Sequence, residues 1–335
     1  MKTALLLAFC LAVAPLQRGI ACAWDSDTLR DEAKQKGSLY DFITGQFPHH
    51  GAGYYRERVR RLAAKAAPTF EERNDLAVAY IRLERWKDAE SLLQQNLAEK
   101  PEDYFTMSNL GVLEKKRGNF AASAAWISKA LTIKPEGHLG LGDWYLLNLK
   151  FRVQTASVPK AKPVQNFLGE AYADAFNPRF TTIEPAKQMD YAPDRFDRLQ
   201  RLLENDQTFA DGFLVMGDFL ANRGDLNLAY LCYKKASALN HPNPPEVARR
   251  IASLYSQFHM ATFDGGGPKA YRAWMQKITA QHSAEAARAF SLAEKWQAQF
   301  QETEGALAGR IGDTVAEPSR VEEELVRRGV KRPLP

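Results

Sequence analysis

The chain repeats itself at an interval of 34 residues, and no other feature restricts its fold as much. Leu76-Ala77, Trp86, Leu93 and Pro101 return as Leu110-Gly111, Phe120, Ile127 and Pro135, with Tyr80 and Ala89 adding to the first copy. A further copy runs through Phe213, Met216-Gly217, Leu220, Gly224, Leu226, Ala229, Tyr233, Ala236 and Pro242, the last displaced by one position. A unit this short cannot bury its apolar face alone, so such self-similarity means stacked units. The residue types have physical jobs. Ala77, Gly111 and Gly217 are small where two helices must approach, and Leu76, Leu93 and Leu110 fill the space between helices. Gly118 suits a tight helix-to-helix turn, and Pro101 and Pro135 push the residue before them out of the α region. The strong periods are all helical and no run alternates convincingly with period 2, so an almost wholly helical chain is expected.

In position and type these copies resemble the tetratricopeptide repeat, a pair of antiparallel helices. The resemblance implies an all-α fold, an antiparallel helix-pair (TPR-like) solenoid with a Pro-rich insertion and C-terminal capping helices. It also implies a concave groove lined by the first helix of each pair, where peptides or partner helices lie. The implied groove positions are Asn74, Val78 and Arg82 in the first copy, then Phe105, Asn109, Val112 and Lys116, and later Asp211, Asp218 and Asn222. Chaperone-binding members clamp a C-terminal carboxylate with Lys and Asn one turn apart. Here those places hold Asn74 and Val78, and only Asn109 keeps a matching type, which speaks against that subclass.

The rest of the chain divides by composition. Residues 24–66 form an N-terminal segment with one amphipathic helix, and the first repeats occupy 67–151. Between 152 and 193 lie Pro159, Pro163, Pro178, Pro185 and Pro193, too many for one long helix, leaving room for a short one over Val164–Ala175. Phe196, Leu199, Leu202 and Leu203 restore a helical stripe, and repeats run on through 194–263. Residues 264–304 hold two expected capping helices, Lys269–Gln281 and one carrying Ala289, Leu292, Ala293, Trp296 and Phe300 on one face. A polar tail, 305–335, contains a short helical stretch near Val321–Arg328.

The first 23 residues read as a signal peptide: Lys2, an apolar run from Ala4 to Ala14, the breaker Pro15, and Ala21-Cys22-Ala23 as a small-x-small cleavage site. The run is shorter than the roughly 20 residues a membrane span needs. Cleavage removes Lys2 and Arg18 and no acid, so the +5 formal charge falls further, too mild a balance for nucleic acid. The expected location is the periplasm or cell surface. A second reading has Gly19-Ile20-Ala21-Cys22 as a lipoprotein box with Cys22 lipidated, the one membrane attachment foreseen. With Cys10 and Cys22 in the leader, Cys232 is the sole certain mature thiol, and no disulfide framework is possible.

Candidate chemistry is sparse. His49 and His50, in Phe47-Pro48-His49-His50-Gly51-Ala52-Gly53-Tyr54-Tyr55, are a weak metal alternative, because zinc takes three or four ligands and no spaced partner accompanies them. Gly265-Gly266-Gly267-Pro268-Lys269 lacks the spacing of a phosphate cradle. Arg56, Arg58, Arg60, Arg61 and Lys65 make a basic helix face, and Arg327, Arg328, Lys331 and Arg332 a second cluster. No nucleophile elbow, dinucleotide loop or kinase signature is present. The function expected is therefore an exported, non-catalytic scaffold that binds a protein or peptide through the groove, without cofactor. The alternative is an envelope enzyme or metal-binding protein with a site near His49–Tyr55.

Overall fold

The computed structural model describes residues 38–46, 48–157, 162–172, 193–259, 265–308 and 318–333. Among them there is no strand, and an isolated antiparallel bridge joins Gln165 to Ala171. The expected signal peptide, Cys22, and most of the Pro-rich insertion lie outside the described residues, as do 309–317 of the tail.

Two helices precede the repeats, α1 (Leu39–Thr44) and α2 (Ala52–Ala63). The repeats supply α3 (Phe70–Arg82), α4 (Trp86–Glu99), α5 (Tyr104–Lys116) and α6 (Phe120–Ile133), and one turn, α7 (Gly137–Gly140), leads into α8 (Gly142–Ser157). After the insertion come α9 (Pro193–Asn205), α10 (Ala210–Asn222), α11 (Leu226–Ala238), α12 (Pro244–His259), α13 (Pro268–Ala308) and α14 (Pro318–Arg327).

Local sequence sets these boundaries. Thr69 and Glu72 form a reciprocal capping box at the start of α3, and the Asp103 carboxylate accepts from Thr106 N at 2.7 Å at the start of α5, satisfying otherwise orphaned amides. The turns inside the three pairs are alike: Glu84, Gly118 and Gly224 have φ of 61°, 83° and 87°, and the next amide in each returns to the preceding helix (Arg85 N to Tyr80 O, Asn119 N to Glu114 O, Asp225 N to Leu220 O). Glycine adopts that backbone without strain, and two of the three turns use it.

The extensive pairings are α3 with α4, α5 with α6 and α10 with α11, an arrangement of consecutive helix pairs that makes the chain an all-α solenoid. The small-residue positions account for how closely the helices pack. A Cβ at Gly111 would stand 2.6 Å from Cδ1 of Ile127, and one at Gly217 would overlap the ring of Tyr233. Ile127 and Tyr233 follow their glycines by the same interval, and Ala77 and Leu93, both fully buried, stand at that interval in the first pair.

Two expected elements differ. Over residues 164–171 the backbone is a turn, and helix is described only at Tyr172: Gly169 has φ 81°, and the Asn166 carboxamide oxygen accepts from Leu168 N and Glu170 N, each at 3.0 Å. A side chain bonding its own backbone in this way competes with helix formation. The two capping helices are one, α13, running unbroken from Pro268 to Ala308 because nothing between Gln281 and Ala289 interrupts it.

The main core joins α8 to α12 with Phe42 and Ile43 of α1, a smaller cluster fills the first repeats, and a third, around Trp296, Phe300, Val321 and Leu325, lies between α13 and α14. The helix α13 touches both ends of the array. Gly53 of α2 meets Gly305, while near its other end Ser283 lies 3.4 Å from Tyr230 Oη of α11.

Candidate interaction surface

The groove positions of α3 and α5 divide into buried and accessible sets. Val78 and Val112 are fully buried in the cluster between the pairs. Asn74 and Asn109 are buried too: Asn74 exchanges hydrogen bonds with Thr106 Oγ1 at 3.2 and 3.3 Å, and Asn109 Nδ2 donates to Asn74 Oδ1 at 3.5 Å. These amides register one repeat on the next. Phe105 is 44% exposed and meets Tyr104 edge to face. Arg82 is half-buried with its guanidinium 5.8 Å from the Tyr55 ring centre. Half-buried Lys116 has its ammonium pushed down to about 7, first by burial and then by Arg82 and Lys115.

In the later repeat the acids hold the fold together. Asp211 accepts from Phe167 N at 2.7 Å, Tyr172 Oη at 2.5 Å and His241 Nε2 at 2.9 Å. Because His241 Nδ1 accepts from Asn243 N at 3.0 Å, the neutral ring with its proton on Nε2 satisfies both contacts. Asp211 thereby pins residues 162–172 onto α10. Asp218 receives Arg250 through Nε at 2.7 Å and Nη2 at 2.9 Å, and Tyr233 Oη at 2.8 Å. Arg250 is fully buried, and the two-pronged pair with Asp218 supplies the partner that a buried guanidinium needs. Asn222, at the end of α10, is half-buried.

A third acid, not anticipated, sits where the two halves of the array meet. The Asp206 carboxylate takes Lys115 Nζ of α5 at 2.6 Å, Asn148 Nδ2 of α8 at 2.9 Å and Arg152 Nη2 at 3.0 Å, and its other oxygen takes Thr208 Oγ1 at 2.7 Å. Burial opposes its charge, but Arg152 and Lys115 hold it well below the usual carboxylate range.

The His49–Tyr55 segment is a helix junction. His50 Nδ1 is hydrogen bonded to Glu304 Oε1, Gly51 N donates to Glu304 Oε2 at 2.8 Å, and the His50 ring stacks on Tyr54 with centres 4.0 Å apart. A Cβ at Gly51 would lie 2.6 Å from Gln301 Cβ, and one at Gly53 2.7 Å from Gly305 Cα, so the glycines let α2 and α13 touch. His49 is buried, and burial, followed by the charges of Arg82, His50, Lys235 and Lys116, holds its imidazole well below its ordinary value. Among the described residues no group of three His, Cys, Asp or Glu side chains is placed to hold a metal. No helix among them is long and apolar enough to cross a membrane.

The basic face of α2 is largely matched by acids: Arg58 pairs with Asp75 at 3.1 Å, Arg60 with Glu57 at 2.6 Å, and Lys65 with Glu72. Arg56 and Arg60 line two shallow clefts, one of about 440 Å³ shared with Gln301 and Glu302 and one of about 470 Å³ over Val59 and Leu83. Sequence carried a signal for the acids and bases it did not single out. Arg250 falls on the stripe of Val247, Ile251 and Leu254, and Glu304 stands one turn past Phe300, so each is a charge on an apolar face. Asp206 lies in a connection and gives no such signal.

Comparison with known proteins agrees with this geometry. Residues 59–139, from α2 to α7, match the family model of the coatomer epsilon subunit, a helical-repeat family of the tetratricopeptide-like kind. No curated protein matches the chain.

Proposed function

We propose that the protein is a non-catalytic scaffold that acts outside the cytoplasm and binds a protein or peptide partner through its helix-pair array. The carrying observation is the similarity of residues 59–139 to a subunit of a protein assembly, over the stretch that holds Arg82, Phe105 and Lys116, the groove positions left accessible to a partner on α3 and α5. Phe105 is 44% exposed, and an aromatic ring of this kind is the residue type enriched among interface anchors. Buried acids and histidines elsewhere are engaged in structural bonds: Asp206, Asp211, Asp218, His241 and the His50–Glu304 pair.

The test is affinity purification of the tagged full chain from its own envelope fraction beside the Phe105→Glu variant. A stoichiometric partner present with the wild type and absent with the variant, at equal melting temperature, is the expected result. Retention of the same partner by the variant would reject the groove. For location, residues 1–30 fused to a reporter active only outside the cytoplasm should give activity, with Trp24 or a lipidated Cys22 as the mature N-terminus. An intact Met1 on the native protein contradicts export.

A further inference from the structure

The cleft of about 470 Å³ beside α2 joins an apolar floor to a rim of three arginines, and no acidic residue lines it. Helix α2 supplies Arg56, Val59 and Arg60, and the turn that ends α3 supplies Leu83 and Arg85. Val59 and Leu83 are half-buried and rest on Tyr54, Tyr55 and Ala79, so the floor is fixed from below. All three arginines are exposed. Two of them are held in place from behind. Arg60 donates to Glu57 through Nε at 2.8 Å and Nη2 at 2.6 Å, while Arg85 donates through Nε to Asp88 at 2.8 Å and lies 4.2 Å from the Tyr80 ring centre. Arg56 makes no ion pair among the described residues, which leaves its guanidinium donors to a ligand. The neighbouring cleft of about 440 Å³ has Glu57 and Glu302 in its walls beside the same two arginines of α2, so its charges balance within the chain.

We propose that the cleft over Val59 and Leu83 docks an acidic segment of a partner protein, an apolar side chain seated on its floor between carboxylates that reach Arg56 on α2 and Arg85 on the turn. The cleft shares no residue with Arg82, Phe105 or Lys116, so the proposal goes beyond the groove reading. Charge complementarity selects the occupant, because a guanidinium fork matches a carboxylate and an apolar floor inside a charged rim is how a protein interface is built. A lipid surface fits less well. Polybasic segments that adsorb to anionic lipid present their cations to a plane, whereas these cations surround a concavity, and the exposed Asp88 and Glu302 nearby would face the same anionic plane.

The probe is a fluorescein-labelled synthetic peptide, Gly-Ser-Asp-Glu-Phe-Glu-Asp-Ser-Gly, titrated into the purified full chain by fluorescence anisotropy. Arg56→Glu turns one exposed attraction into a repulsion, so it should weaken binding about fivefold or more. Arg56→Gln, which only removes the charge, should fall between that variant and the wild type. Because Arg56 is exposed and unpaired in the fold, circular dichroism should be the same for all three. A probe with Ser in place of Phe should bind the wild type more weakly, since the floor is then left bare, whereas Phe105→Glu should bind the original probe as the wild type does. Absence of binding by the wild type, equal affinity in Arg56→Glu, or indifference to the probe's Phe overturns the proposal. Cosedimentation with phosphatidylglycerol vesicles that Arg56→Glu abolishes, in a protein that ignores the peptide, overturns it equally and assigns the arginines to a membrane. If the probe fails while Phe105→Glu still strips the partner, the scaffold reading stands and the cleft is a solvated face.

Discussion

Gly217 shows how much one hydrogen atom in place of a side chain decides. The ring of Tyr233 occupies the space a Cβ would need, and Tyr233 Oη is committed to Asp218 at 2.8 Å, so the ring cannot withdraw without breaking a buried bond. Gly217→Leu should lower stability by about 1–3 kcal/mol through overpacking, read from urea titration, whereas at an exposed helical position the same change would stabilise. Lys235 makes the complementary case for charge. It is 4% exposed, between the rings of Phe213 and Phe290, and burial pushes its pKa down to about 8. An unfolded lysine titrates near ~10.4, so between about pH 8 and pH 10 the unfolded chain binds more protons than the folded one and stability rises with pH. Lys235→Met should therefore raise the melting temperature at pH 6 and lose that advantage by pH 10. A gain that does not depend on pH would assign the effect to packing.

At the scale of elements, the repeats were legible because interval and residue type coincide. Each of Leu76-Ala77, Leu110-Gly111 and Met216-Gly217 marks a first helix, and the structure pairs each with the second helix the interval demands. What was not legible depends on contacts between distant segments. The polarity of Asp211 and Asp218 reads as groove lining until residues 162–172 and Arg250 arrive to use it, and nothing near His49-His50 in the sequence announces that Glu304 of α13 lies across them. The turn at Asn166–Gly169 escaped because three bonds from one side chain outweigh helix propensity over a short span. Asp206 allows a direct test of the joint between the halves, since it gathers Lys115, Asn148 and Arg152 from α5 and α8. Asp206→Asn keeps the shape and removes the charge that faces buried Lys115 and half-buried Arg152, and should cost about 3 kcal/mol at pH 7. The folded pKa lies below the unfolded value of ~3.9, so the wild type holds this stability above about pH 4 and loses it on acidification. The gap between wild type and variant should narrow as pH falls below that point.

An open array of helix pairs is quasi-one-dimensional, with each pair stabilised by its neighbours and the ends free to fray. In this molecule α13 contacts α2 at the beginning and lies against Tyr230 and Lys235 of α11 near the end, while α1 packs on α11 from the other terminus. Tying the ends makes the loss of one pair felt by all, which favours a single transition over progressive fraying. Where α2 and α13 cross, the tie includes the Gly53–Gly305 and Gly51–Gln301 approaches, the Glu304 bonds and the Gln297 bond to His49 O. Gly305→Leu should disturb it without touching any repeat, because the side chain would enter a space in which even a Cβ lies 3.3 Å from Gly53 Cα. Urea unfolding of the wild type should then be one transition with coincident circular dichroism and tryptophan fluorescence. In the variant the two probes should separate, and hydrogen exchange should quicken in α2 and α13 ahead of α5 and α6. Coincident probes in Gly305→Leu, with exchange raised uniformly, would mean that cooperativity resides in the repeats themselves and that α13 merely lies along them.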